Sequence, residues 1–294
     1  MDKYIFLGWP IVIILLLSSC IKDGEIECPD LMEKIRIELQ WLDTQPKDEN
    51  ETLNLTITPT NGETIETTTN RYGKQVELYP GTYTISAWET ANNITVNGRT
   101  ISVATDTDGF ALQPDSLSGG ATTTEVILTT DSLIIPVPVH QQTRELIVEV
   151  DFTGDGMSIV DGLEGILSGI TLSRDITNGF PPTDNRNRPP ALSNGNIRYN
   201  FSPNLLRDRD EWYYGRNRLI GVDGDANQVL DLRVSLATND TTEISIDVTS
   251  DLLEFHTKDI HEPWYIIITL NLGINLELEI VDWYAGAESW ITAR

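Results

Sequence analysis

Cysteine is nearly missing from this chain. Two residues, Cys20 and Cys28, in a length of 294 cannot build a disulfide framework, so stability has to come from burial. Histidine is as scarce, with His140, His256 and His261. The last two are five apart, which suits neither the i,i+4 spacing of a helical zinc pair nor alternate positions on one strand face, and no metal is implied. Basic residues are few: 20 Lys+Arg stand against 45 Asp+Glu, a formal net charge of −25. Such a polyanion repels nucleic acid and anionic headgroups, which excludes charge-driven binding of either. There is no Gly-x-Ser-x-Gly elbow, phosphate loop or dinucleotide fingerprint. In a chain this acidic, any glycosidase-like carboxylate pair would be an arbitrary choice. Neither an enzyme nor a cofactor is indicated. The turn Asp223-Gly224-Asp225-Ala226-Asn227 departs from a calcium loop, because Gln228 and Val234 stand where that loop needs Gly and Glu. A tight turn rich in Asp, Gly and Asn explains it equally well, and a weak calcium ion on loop carboxylates is the alternative that no motif specifies. After the first twenty residues the longest apolar run, 264–272, is too short to span a bilayer.

What is present begins at the N-terminus. Lys3 is followed by an almost wholly apolar run, 4–17, and then Ser18-Ser19-Cys20. A short apolar stretch that gives way at once to polar sequence is a secretory signal and not a spanning helix. Leu17-Ser18-Ser19-Cys20 resembles the lipobox of bacterial lipoproteins, in which the cysteine is lipidated and becomes the first mature residue. On that reading Cys20 tethers the protein to a membrane and Cys28 has no partner. The alternatives are a signal cleaved nearby with Cys20 incidental, or a Cys20–Cys28 bridge in an unlipidated chain. Residues 20–33 form a polar, acidic tether. Lys22, Asp23 and Glu25 resemble the surface-export signal of some Gram-negative lipoproteins; the plainer reading is a solvated linker.

From Lys34 onward period-two alternation dominates. Ile35, Ile37, Leu39 and Trp41 alternate with Arg36, Glu38 and Gln40, the mark of a half-buried strand. The pattern recurs at Leu53-Leu55-Ile57, Tyr83-Ile85-Ala87, Leu146-Val148-Val150-Phe152, Leu230-Leu232-Val234-Leu236 and Ile244-Ile246-Val248. Asn97-Gly98 between two β-branched runs predicts a hairpin. Pro136 and Pro138 cannot donate to a ladder, so the run after Leu133 is expected to end at an edge or pass into a linker near 138–142. Residues 178–196, rich in proline, predict a long exposed loop. Short helical turns are expected at 161–167 and 250–256. Many short strands with little helix predict an all-β chain of two tandem antiparallel β-sandwiches, 34–139 and 140–294, behind a signal peptide over 1–19. The 39% hydrophobic content suffices for two cores.

Several motifs follow the lipobox in order. They are Cys28-Pro29, Leu78-Tyr79-Pro80-Gly81-Thr82-Tyr83-Thr84, Leu112-Gln113-Pro114-Asp115-Ser116-Leu117 with Gly119-Gly120, and Gln142-Thr143-Arg144-Glu145-Leu146. Gly165-Ile166-Leu167-Ser168-Gly169-Ile170 and Val281-Asp282-Trp283 come later. In this arrangement the chain resembles the fimbrillin-like lipoproteins of anaerobic Gram-negative bacteria, which include anchor subunits of type V pili. The resemblance implies transthyretin-like, Greek-key sandwiches and an outer-membrane location facing the exterior through a lipid on Cys20. It also implies a fimbrial stalk subunit as partner, with a host protein or glycan as a further one, and a structural role in adhesion. In that family stalk subunits polymerise by β-strand addition, after a protease cutting at arginine removes the first strand. Here the segment after the first strand, 43–51, holds Lys47 and no arginine. The first strand is therefore expected to stay, as suits an anchor or terminal subunit.

Ile274, Leu276, Leu278 and Ile280 alternate as an inserted strand would, and are the candidate subunit-interaction strand. The plainer reading makes them the last strand of the second sandwich. Trp212, Tyr213 and Tyr214 are candidate exposed aromatics, and would serve the alternative function, a surface glycan-binding lipoprotein.

Overall fold

Alternation becomes strand through most of the chain. The computed structural model describes residues 32–42, 52–127, 132–154, 157–177, 179, 191–203, 212–256, 260–273 and 277–286. The strands begin with β1 Glu33–Trp41, β2 Thr52–Pro59, β3 Ile65–Asn70, β4 Lys74–Leu78 and β5 Gly81–Trp88. Next come β6 Ile94–Asn97, β7 Thr100–Val103, β8 Phe110–Ala111, β9 Ser118–Val126 and β10 Leu133–Gln141. They continue as β11 Arg144–Thr153, β12 Val160–Asp175, β13 Ser193–Asn200, β14 Ser202–Pro203 and β15 Trp212–Leu219. The last are β16 Val229–Leu236, β17 Thr241–Asp247, β18 Trp264–Leu272 and β19 Leu278–Gly286. Among the described residues the helical content is one 3-10 turn, Met157–Ile159.

The first sheet runs β3-β2-β5-β9-β10-β1-β4. β9 and β10 pair only at His140↔Gly119 and Gln141↔Ser118, so the sheet turns there into two layers. Ile35 and Ile37 from one layer and Leu53, Leu55 and Ile85 from the other share one core. Burying each such side chain is worth about 1.5–3 kcal/mol. β1 occupies the middle of its layer, parallel to β10 and antiparallel to β4. The hairpin β6–β7 forms beside the Asn-Gly pair, with its turn one residue further on: Asn97 is still paired, opposite Thr100, and Gly98 (φ +56°) and Arg99 make the two-residue loop.

A five-stranded sheet, β14-β15-β11-β18-β19, faces a second seven-stranded one containing β17-β16-β12-β13-β8 with β7 and β6 attached. Their inner faces share the largest core, including Val148, Leu232 and Ile268. The sheets are mixed, which corrects the purely antiparallel expectation: β1–β10, β11–β18 and β13–β8 are parallel pairs. Alternation sets which face of a strand is buried and carries no information on the direction of its neighbour.

Other expectations change as well. Residues 161–167 lie inside the sixteen-residue strand β12, where pairing with β13 and β16 on both sides overrides a weak helical pattern. Residues 250–256 form successive turns. Pro136 and Pro138 do not end β10; they lie opposite Glu38 and Gln40 of β1. The flank towards β9 carries no ladder before His140, so residues without an N–H are tolerated there. The predicted loop 178–196 is shorter than expected, since Ser193 to Asn196 belong to β13.

The segment expected to be a linker is buried. Gln142 and Thr143, which separate β10 from β11, are fully buried, and Gln141 before them is buried too. The Gln142 side-chain amide donates to the carbonyls of Gly119 (2.7 Å) and Ile176 (3.1 Å). Arg174, at the end of β12, donates to the carbonyls of Ile220 (2.7 Å), Gln142 (2.9 Å), Asp175 (3.0 Å) and Gly179 (3.2 Å). β7 and β8, which come early in the chain, pair with β12 and β13. The compact unit that begins at Glu33 is therefore stitched across its middle.

Tyr199 sits in the larger core, its hydroxyl directed at the Leu146 carbonyl (3.4 Å). Burial raises its pKa far above the usual tyrosine value of 10.0. A tyrosine that stays protonated when folded but ionises when unfolded contributes stability that is intact below pH 10 and lost as pH climbs beyond it. The loss is about 1.4 kcal/mol per pH unit. Urea unfolding at pH 8 and pH 11 should show Tyr199→Phe losing about 1.4 kcal/mol less than wild type over that interval. Equal losses would contradict the assignment.

Candidate interaction surface

The outer edge of the five-stranded sheet is β19, which pairs with β18 from Tyr265↔Gly286 to Leu272↔Leu278. An extra residue enters β19 between the partners of Thr269 and Leu270. Such a bulge leaves one residue outside the ladder, and here Val281 falls there, 60% exposed. Trp283 lies opposite core residue Ile268 and is still 44% exposed, because no further strand extends the sheet beyond it among the described residues. Tyr284, on the other face, is 40% exposed. It ends a cross-sheet row that runs Tyr214–Glu149–Ile267–Tyr284. In the same face, burial raises the pKa of Tyr265, and Glu149, Glu145 and Glu262 add to the shift.

The other edges are blunted. β3 carries Glu66 and a run of threonines, β4 is five residues with Lys74 and Glu77, and β17 carries Glu243 and Asp247. β14 and β8 are two residues each, and β10 contains two prolines. Short length, charge and proline are the devices that keep an edge from recruiting a strand. β19 has nine residues and neither Lys nor Pro. Its devices are the bulge and two carboxylates, Glu279 and Asp282, set among three exposed apolar side chains.

Of the candidate strand residues, Leu278 and Ile280 belong to β19, paired with β18 of the same chain; Ile274 and Leu276 lie outside the described residues. So do Cys20, Lys22, Asp23, Glu25 and the segment 43–51. The aromatic platform does not form. Tyr213 points into the core, edge-to-face with Phe152 at 5.8 Å, and Trp212 is 3% exposed; only Tyr214 reaches solvent. The charged neighbours of this triplet suggest a surface, but β15 is an inner strand and half of its side chains must enter the core. Asp223 is buried and spent on the Asn194 amide (2.7 Å) and its own turn at Asp225 (3.0 Å). His256 accepts from the Val222 amide at 3.1 Å. Val281 and Tyr284 carry no sequence signal of exposure, since an edge position is a property of the whole sheet. Among the described residues, no helix is long and apolar enough to cross a membrane.

No family model and no curated protein matches the sequence. In fold, the chain is similar to solved structures of a fimbrial anchor protein and of adhesins, a fimbrillin-like architecture. The fimbrial anchor protein Mfa2 from Porphyromonas gingivalis aligns with a TM-score of 0.58 at 11% identity, covering 87% of this chain and 98% of Mfa2. A candidate adhesin from Bacteroides ovatus aligns with a TM-score of 0.57 at 15% identity, over 79% of this chain and 89% of that one. A second from the same species gives 0.58 at 11%, over 87% and 96%. At these identities the likeness is one of fold.

Proposed function

We propose that this chain is a lipid-anchored, cell-surface structural subunit that anchors or terminates a fimbria, with a non-catalytic role in adhesion. It would comprise two transthyretin-like sandwiches, 34–139 and 140–294, carried on the tether 20–33. The observation that carries the reading is the position of β1. It lies between β10 and β4 with Ile35, Ile37 and Leu39 inward, and while it stays there that slot is closed to a strand from a neighbour. A subunit that keeps its own first strand has no groove to offer there and suits the end of a fibre. The fold shared with an anchor protein supports the same choice. β19 is the surface on which a stalk subunit would add, because an open edge offers main-chain hydrogen bonds and its exposed apolar side chains offer specificity.

The test is Cys20→Ala in the native cell. Lipidation contributes roughly 0.8 kcal/mol per buried CH₂, so two or more chains dominate retention. The variant should move most of the protein, and the fibres attached to it, from the membrane fraction into the medium. Fibres that remain on the cell while the protein is released would refute the anchor role.

A further inference from the structure

A trough of about 640 Å3 lies on the outer face of the sheet formed by β13, β12, β16 and β17. It is built from two cross-strand rows. One runs Asn200–Glu164–Arg233–Glu243 and the other Arg198–Ile166–Asp231–Ser245. In a chain where acids outnumber bases more than two to one, these rows set three carboxylates against two guanidinium groups.

Most of these side chains are already held in place. Arg198 is gripped by Asp106 and Asp108, each at 2.8 Å, and lies 3.8 Å over the ring of Phe110. Asp106 is itself fixed by the amides of Asp108 and Phe110, both at 2.9 Å. The Ser245 hydroxyl donates to Asp231, and Arg233 stands 3.8 Å from Glu243. Groups fixed before a ligand arrives lose little entropy when it binds. Glu164 and Asn200, by contrast, are cross-strand neighbours whose side chains have no hydrogen-bonding partner among the described residues.

We infer that this trough binds an uncharged oligosaccharide. A vicinal diol can donate both hydroxyls to the Glu164 carboxylate while accepting from the Asn200 amide or Arg233, and Ile166 offers an apolar spot for a sugar's C–H face. An anionic ligand meets the carboxylates of Glu164, Asp231 and Glu243; the charge of Arg198 is spent on two aspartates and that of Arg233 is shared with Glu243. An extended peptide finds no edge, because β12 is an inner strand whose main chain is committed to β13 and β16. The volume lies within the usual range for small-ligand sites.

The experiment uses the full chain in detergent on an immobilised array of neutral, sialylated and sulfated oligosaccharides. Binding should be confined to neutral members, and Glu164→Gln and Asn200→Ala should each weaken it at least tenfold without moving the melting temperature. Glu66→Gln, on the first sandwich, should leave it unchanged. Absence of neutral binding, binding restricted to charged members, or binding indifferent to both trough variants would overturn the inference. Each of these outcomes leaves the anchoring test at Cys20 untouched.

Discussion

Arg174→Met should lower stability by about 3–5 kcal/mol, although the variant is apolar, of similar length and placed in a buried site. The guanidinium is 1% exposed, and burial holds its pKa down to about 10 while neighbouring Asp175 opposes the shift. Its positive charge is nevertheless stabilised by four carbonyl oxygens, from Ile220, Gln142, Asp175 and Gly179. Methionine would leave those acceptors without this donor, and each buried unsatisfied group costs about 1–3 kcal/mol. Lysine keeps the charge but cannot direct hydrogen bonds along several divergent lines, so Arg174→Lys should recover only part of the loss. Because the four carbonyls belong to the end of β12 and the residues after it, the segment before β16 and the connection between β10 and β11, the variant should also split one urea transition into two. A midpoint shift equivalent to less than 1 kcal/mol would show that the cluster is dispensable.

Gly120→Val should prevent folding altogether. A Cβ at this position would lie 1.7 Å from the Pro138 carbonyl oxygen and 2.8 Å from its carbon. Both are backbone atoms of β10 and cannot swing aside. Gly120 sits next to the corner at which β9 meets β10, so relief would require separating the two layers that enclose the first core. Disruption on that scale exceeds the 4–5 kcal/mol that marks an exceptional substitution, and rivals the total stability of many domains. Even Gly120→Ala should be recovered mainly as insoluble protein. Gly162→Ala provides the contrast, since its nearest neighbour is the Ser235 Cβ at 3.9 Å. That variant should melt within a few degrees of wild type. Similar thermal melts for Gly120→Ala and Gly162→Ala would show that β9 can move away from β10.

The strands β1, β2, β5, β16 and β17 are legible from alternation because the requirement behind it is local: one face meets the core and the other meets water. Leu53, Leu55 and Ile57 alternate for that reason, and they are buried. The hairpin after Asn97 is legible because Gly98 supplies the left-handed backbone conformation that its turn requires. Trp212 and Tyr213 are not legible. Their exposure depends on β15 lying between β14 and β11, which joins segments far apart in sequence. The trough escapes for the same reason. Glu164, Asn200, Arg233 and Glu243 come from four strands and become neighbours only through register.

By itself, the sequence determined an all-β chain of strongly acidic composition, with an apolar run over 4–17, and the inward and outward faces of most strands. Each follows from composition or from neighbours along the chain. Only the tertiary structure decided that β1 lies between β10 and β4, that β7 and β8 cross to the second half, and that Arg174 is buried among carbonyls. It alone left Val281, Trp283 and Tyr284 on an edge that no described strand covers. Pairing is a choice among distant partners, made by the summed burial and hydrogen bonding of the whole sheet. No single segment carries enough of that free energy to announce its neighbours.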